Sequence, residues 1–477
     1  MWDFGKIIRT GLFIVIAVIF LHRLCFAEKP PNRTWQYKGY DLLESYIYPY
    51  PSKPLGSNWK IELSKKLIKS ASNQFILAGD VNGDGRIEIC LSNTSDILIF
   101  NSELKIIGTI KTEFNGPILR LLADIDGDNR LDIGINSAAD REKKIVFYNW
   151  QGKRLLSIWE KNINLDSSIE PLCVLKGGDI LATIFTGYGR LPRGIARYDA
   201  KSRKKLWYYG VGAGIISCSI ADIDNDNQLD MLFGCASPEN GAVGYGGPYG
   251  GSTTYDDCDY TMVIDENGRE RYTIKESSKL NNLDYRRFVK FSDQSPYKIL
   301  GWNQTGGYRR PISVPKIIIR DAKTGKLENT FYGKANYRFR AIACDIDGDG
   351  VKEIIATNYE YSSNGSHLSN PINYILDSNL NLIKMTTKVP GAIRTANDLD
   401  GDGRAEFIFQ NNGLILITDS DFNILWSRDI SNGYYRTLIW DQLIVVDADG
   451  DGVNEIYFAN NYEVGAAIYQ LKPVPVK

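Results

Sequence analysis

Histidine is almost missing from this chain: 477 residues contain two, His22 and His367. Ser-His-Asp and Cys-His nucleophile systems and His-ligated zinc each need an imidazole at the reacting centre. His22 borders an N-terminal apolar run and His367 sits in a Ser/Asn/Gly stretch, so these chemistries are excluded. Sustained helical periodicity is lacking as well, and there is no low-complexity segment. The apolar run GLFIVIAVIFL (11–21) has 11 residues, short of the roughly 20 that span a bilayer. Lys6 and Arg9 precede it and Cys25-Phe26-Ala27 follows, the pattern of a signal peptide cleaved after Ala27. An uncleaved anchor lengthened through His22 and Arg23 is the alternative, and a membrane partner is expected only in that case. The expected location is therefore outside the cytoplasm: secreted, periplasmic or at the cell surface.

Cysteine is sparse, seven in all and six after cleavage. Cys90, Cys173, Cys218 and Cys344 lie in or beside apolar runs and are expected to be small buried residues. Cys235 and Cys258 flank a glycine-rich insertion, and in an oxidising compartment they are expected to clip its ends together as a disulfide.

What the sequence does have is turns, strands and acid: 44 glycines, 28 tyrosines and 57 Asp and Glu against 56 Lys and Arg. The acids recur in one phrase. GDVNGDGRIEI, ADIDGDNRLDI, ADIDNDNQLDM, CDIDGDGVKEI, NDLDGDGRAEF and VDADGDGVNEI are six versions of a loop with oxygen side chains at positions 1, 3, 5 and 9. The sets are Asp80, Asn82, Asp84 and Glu88; Asp124, Asp126, Asp128 and Asp132; Asp222, Asp224, Asp226 and Asp230; Asp345, Asp347, Asp349 and Glu353; Asp398, Asp400, Asp402 and Glu406; and Asp447, Asp449, Asp451 and Glu455. Position 6 is Gly or Asn, the residues that best tolerate a positive φ. A turn there would present the position-7 carbonyl (Arg86, Arg130, Gln228, Val351, Arg404 or Val453) beside the position-9 carboxylate. Such hard oxygen cages suit Ca2+. Three or four like charges within a few ångströms are unfavourable without a cation, so about six Ca2+ ions are expected as cofactors. An EF-hand would need a bidentate Glu at position 12 and flanking helices. Position 12 here is Leu91, Ile135, Phe233, Ala356, Phe409 or Phe458, so these loops are not EF-hands.

The first acids fall at 80, 124, 222, 345, 398 and 447, with two intervals about twice the others. Extra strand sets fill both: IEPLCVL, DILATIF, GIARYDA and KKLWYYG in one, YRRFVKF, YKILGWN, PKIIIRD and KLENTFY in the other. Eight repeats of four strands at this period predict an all-β fold, a β-propeller of eight four-stranded blades, with seven the alternative count. The last repeat is one strand short, and NWKIELS (58–64) precedes the first repeat, so this N-terminal strand is expected to complete the last blade and remove an exposed edge. The expected organisation is a signal peptide at 1–27, a Tyr/Pro-rich linker or arm at 28–57 and the propeller at 58–473.

A cage at the start of each second strand, on this period, resembles the FG-GAP/VCBS repeats of integrin-α-like propellers, over about residues 58–472. The Phe-Gly…Gly-Ala-Pro signature is reduced to FNGP (114–117) and VPGA (389–392). The resemblance implies that each ion braces the loop between first and second strands on the lower face. Rhamnogalacturonan-lyase-type calcium propellers and quinoprotein dehydrogenases share parts of the pattern.

Ligand binding is then expected on the upper face, in the long loops that carry Tyr188, Arg190, Tyr245, Tyr249, Trp302, Tyr308, Arg309, Arg310, Tyr359 and Tyr361. Flat aromatics beside Arg donors suit sugar rings and carboxylates; packing over the propeller top is the plainer reading. The six cages hold 23 of the 57 acids, which leaves 34 against 56 basic residues. Arg120, Arg287, Arg338, Arg340, Arg394 and Arg436 fall near the starts of inner strands, so an anionic polysaccharide or a cell-surface protein is the expected partner, and nucleic acid is not. Three functions fit: an exported binding or adhesion module, a polysaccharide lyase, or a structural partner in an envelope complex. No catalytic constellation can be assembled from the residues.

Overall fold

In this computed structural model the described residues are 52–68, 75–137, 143–160, 167–186, 192–236, 241–277, 285–303, 314–361, 368–411, 413–430, 443–460 and 466–476. The signal segment and most of the arm lie outside them. The described residues form eight four-stranded antiparallel sheets, and every sheet is one blade of an eight-bladed β-propeller. Blade 1 shows the plan: an inner strand Ile76–Gly79, then Glu88–Ser92, Asp96–Phe100 and an outer strand Ile106–Lys111, each hydrogen-bonded to the next. The two intervals without cages hold complete blades 3 and 5, as the strand pattern predicts.

Ring closure follows the sequence expectation. Trp59–Ile68 pairs antiparallel with Ala466–Pro475, in register from Trp59 opposite Pro475 to Ile68 opposite Ala466. Blade 8 therefore takes its outer strand from the start of the chain and its other three from the end, which leaves no unpaired edge at the seam.

Burial grades outward along each blade. Ile97-Leu98-Ile99-Phe100 is wholly buried, because third strands are covered by neighbouring blades on both faces. The outer strand Ile424–Asp429 is mostly exposed. Contact between blades is close: a Cβ at Gly79 of blade 1 would stand 2.6 Å from Leu131 and 3.0 Å from Leu122 of blade 2, whose side chains occupy that space. The hairpins joining third and fourth strands reuse one device, an Asp or Asn whose side chain accepts backbone N–H groups two and four residues on, as at Asp377 and Asp419. Cys90, Cys173, Cys218 and Cys344 are buried thiols, as expected.

The expected disulfide is not formed. Cys235 and Cys258 are both buried thiols. The ladder sets Cys235 opposite Tyr260, not Cys258, and its sulfur lies 4.0 Å from Met262 Sδ. The Cys258 sulfur instead meets Asp257 Oδ1 at 3.0 Å.

Candidate metal cages and the arginine-bearing inner strands

All six acid loops connect the first strand of a blade to the second, and backbone N–H groups hold them in one shape. The position-1 carboxylate accepts from the N–H of position 6 at 2.9–3.1 Å. The position-5 carboxylate accepts from the N–H of position 7 at 2.7–2.9 Å, through Arg86, Arg130, Gln228, Val351, Arg404 and Val453. The position-9 carboxylate reaches back to the N–H of position 2 at 2.8–3.4 Å. Position 6 has φ between 66° and 88°, as expected for Gly or Asn. Position 4 has it too, between 61° and 85°, in every loop, and this second left-handed residue is Gly or Asn each time.

Loops of adjacent cage-bearing blades also lock to each other. Leu131 N–H of blade 2 donates to the Asp80 carbonyl of blade 1 at 3.3 Å, and Ala405 N–H of blade 7 to the Ile346 carbonyl of blade 6 at 3.1 Å. At the seam between blades 7 and 8 the chain from 52 to 55 intervenes. Ser52 and Leu55 donate to the Asp398 and Asp400 carbonyls at 3.0 and 2.7 Å, and Lys53 donates to the Gly452 carbonyl at 2.7 Å.

Carboxylate oxygens in the loops of blades 2, 4, 6, 7 and 8 converge to within 4.8 Å of one another. The position-9 acids are the deepest of these. Burial, with the neighbouring carboxylates adding to it, pushes Asp132 and Glu406 up to about 8 and Glu88, Asp230, Glu353 and Glu455 up to about 7. Such clustered, desolvated, hard oxygen donors could hold metal ions.

Two cages contain a cation that the sequence reading missed. Arg271, on the outer strand of blade 4 (Glu270–Ser277), places Nη1 2.6 Å from Asp224 and Nη2 3.7 Å from Asp226, with Nε against Asp230. Lys472, on the third strand of blade 8 (Ala466–Pro475), places Nζ 2.5 Å from Asp449, 2.9 Å from Asp451 and 2.8 Å from Glu455. Both residues are far in sequence from the acids they meet, and only the strand order of the folded blades brings them together.

The expected ligand-binding loops are placed differently from the expectation. Trp302 and Tyr359 are fully buried within the blades: Trp302 stacks on Tyr285 at 5.7 Å and has the Arg287 guanidinium over its ring, and Tyr359 pairs opposite Arg338 in the ladder. Tyr245 and Tyr249 are exposed, but the insertion that carries them runs along the outer strands of blades 3 and 4. Gly246 bonds to Gly210 at the end of the outer strand Lys205–Gly210, Tyr245 rests on Tyr208, and Tyr249 lies under the Arg269 guanidinium. Glycines allow this close approach, since a Cβ at Gly247 would stand 2.8 Å from the Gly268 carbonyl. These two tyrosines belong to the rim, not to the mouth of the channel. Tyr188, Arg190, Tyr308, Arg309, Arg310 and Arg436 lie outside the described residues, as does the side chain of Tyr361.

All but one of the described inner-strand arginines are buried. Arg120 donates to Asn136 at 2.8 Å and to Glu170 of the next blade at 3.0 Å. It occupies the extra position of a bulge between Leu119 and Leu121, and Arg394 sits at the matching bulge between Ile393 and Thr395. Arg286 is held by Thr261 and Glu276, 3.7 Å away. Arg338 is half-buried; Arg287, Arg340 and Arg394 are buried. Arg340, beside Thr357 in the ladder and 1 % exposed, has no hydrogen-bond partner for Nε or Nη2 among the described residues.

No protein-family model matches the chain, and no curated protein matches it. Solved structures do. The fold is similar to that of the exotype rhamnogalacturonan lyase YesX at 15% identity, over 88% of this chain and 75% of that one, with a TM-score of 0.52. It is also similar to a europium-containing methanol dehydrogenase at 10% identity, over 86% of this chain and 93% of that one, with a TM-score of 0.51. Identities this low bear on the fold alone.

Proposed function

We propose that this chain is an exported, calcium-braced propeller of the FG-GAP/VCBS kind that binds an anionic partner, an acidic polysaccharide, through the arginines of its inner strands. Calcium is the ion that clustered Asp and Glu oxygens without nitrogen or sulfur donors favour, and its role here is to hold the loops, since an ion that binds only the folded chain stabilises it by mass action. The observation that carries the binding reading is Arg340, buried with no hydrogen-bond partner for Nε or Nη2 among the described residues. An isolated buried charge costs several kcal/mol, and a carboxylate is the ligand that matches a guanidinium fork. Arg287 and Arg394, also buried on inner strands, add to the same positive field.

A glycan array probed with the calcium-loaded protein tests this. Retention on uronate-bearing or sulfated glycans, lost at high salt, is expected; retention only on neutral glycans would contradict it. Release of unsaturated products absorbing in the ultraviolet, from the same acidic polymers, would instead identify a lyase.

A further inference from the structure

The six cages are not equivalent. In blade 4 the Arg271 guanidinium reaches the carboxylates at positions 3, 5 and 9, and in blade 8 the Lys472 ammonium reaches the same three positions. In blade 1 the residue at position 3 is itself a nitrogen donor: Asn82 Nδ2 donates to Glu88 at 2.9 Å and to Asp84 at 3.2 Å. Each of these three cages thus has a nitrogen donor of the chain seated on positions 5 and 9. The acids of blades 2, 6 and 7 form no ion pair with Lys or Arg among the described residues, yet their oxygens converge as closely as in blades 4 and 8.

Resting on the reading that the cages take calcium, we propose that only the cages of blades 2, 6 and 7 are divalent-cation sites, and that Asn82, Arg271 and Lys472 fill the other three. A guanidinium or ammonium on three carboxylates supplies positive charge, and its hydrogen bonds take up the oxygen lone pairs that an ion would coordinate. A calcium ion entering the same cage would have to expel that group into water and break its contacts. The Asn82 amide acts more weakly, but it replaces one anionic ligand with a neutral one, and its nitrogen faces the two acids that would hold the ion.

Metal content decides the matter. Purified full chain, equilibrated with millimolar CaCl2 and passed through a desalting column in buffer with 0.1 mM CaCl2, is expected to carry three Ca2+ above background by elemental analysis. Lys472→Gln, Arg271→Gln and Asn82→Asp should each raise the count by one. Three independent substitutions keep the test usable when one of them fails to fold. Four or more ions on the unaltered chain would overturn the inference, and so would a count of three left unchanged by every folded variant. A count of zero would overturn the calcium reading itself.

Discussion

The Ser52 hydroxyl accepts a hydrogen bond from the Asn454 backbone N–H at 2.9 Å, joining residues 402 positions apart in the chain. At the seams between blades 1 and 2 and between blades 6 and 7, the corresponding N–H donates directly to a cage carbonyl of the preceding blade. Between blades 7 and 8, Ser52 is interposed, taking the bond from Asn454 and passing one from its own N–H to Asp398. The same short segment leads into the strand that completes blade 8. Replacing Ser52 with Ala leaves the buried Asn454 N–H without its acceptor, a loss of about 1–3 kcal/mol. Urea unfolding of the calcium-loaded chain should show a lower midpoint at unchanged slope. An identical midpoint would mean that the segment does not brace the seam.

Blades 2 and 3 are joined through the ion pair of Arg120 and Glu170, 3.0 Å apart with both side chains 4 % exposed. Removing one partner strands the other charge in a dry interface at a cost of about 3–5 kcal/mol. Glu170→Gln should therefore destabilise strongly, and the double variant Arg120→Met, Glu170→Leu should lie closer to the starting protein. A double-mutant cycle measured by denaturant unfolding checks this, and additive losses would contradict it.

Arg340 is expected to behave in the opposite sense. Arg340→Leu removes a buried charge that has no hydrogen-bond partner for two of its nitrogens among the described residues, so melting should be unchanged or higher while binding to the acidic glycan falls at least tenfold. Full binding by a folded Arg340→Leu protein would separate this residue from the ligand.

The pH dependence of stability follows from the position-9 acids. Their folded values, about 7 to 8, lie above the ordinary carboxylate range because burial disfavours the charged form. A raised acid contributes stability that is complete below its unfolded value, near 4.5 for Glu88, Glu353 and Glu406 and 3.8 for Asp132, and lost as pH rises through the folded value. In chelator the Tm should accordingly fall between pH 5 and pH 8. Excess calcium should flatten or reverse that slope, since metal binding favours the deprotonated ligands. A Tm in chelator that rises over this range would contradict the burial of these acids.

The parts of this molecule set by local chemistry were readable in its sequence. The cages, the phase of the strands around them, the two blades without cages and the borrowed strand at 58–64 all follow from residues near one another in the chain, and so does the positive φ at position 6. What escaped depended on contacts between distant strands. Arg271 and Lys472 look like ordinary solvated charges until the outer strand of blade 4 and the third strand of blade 8 fold back over cages some 40 and 20 residues away. Trp302 and Tyr359 read as loop aromatics because they adjoin glycine- and tyrosine-rich segments, whereas their places in the ladder bury them. The place of the loop 236–260 between second and third strands points to the upper face, whereas the path of residues 241–258 along the rim depends on glycine contacts with the neighbouring blade.

Thermal unfolding of the full chain at pH 7.5, with 2 mM CaCl2 and with excess EGTA, tests the metal-braced ring most directly. The account predicts a cooperative transition that drops by well over ten degrees on chelation and returns when calcium is restored. A Tm that is the same in both buffers would contradict it.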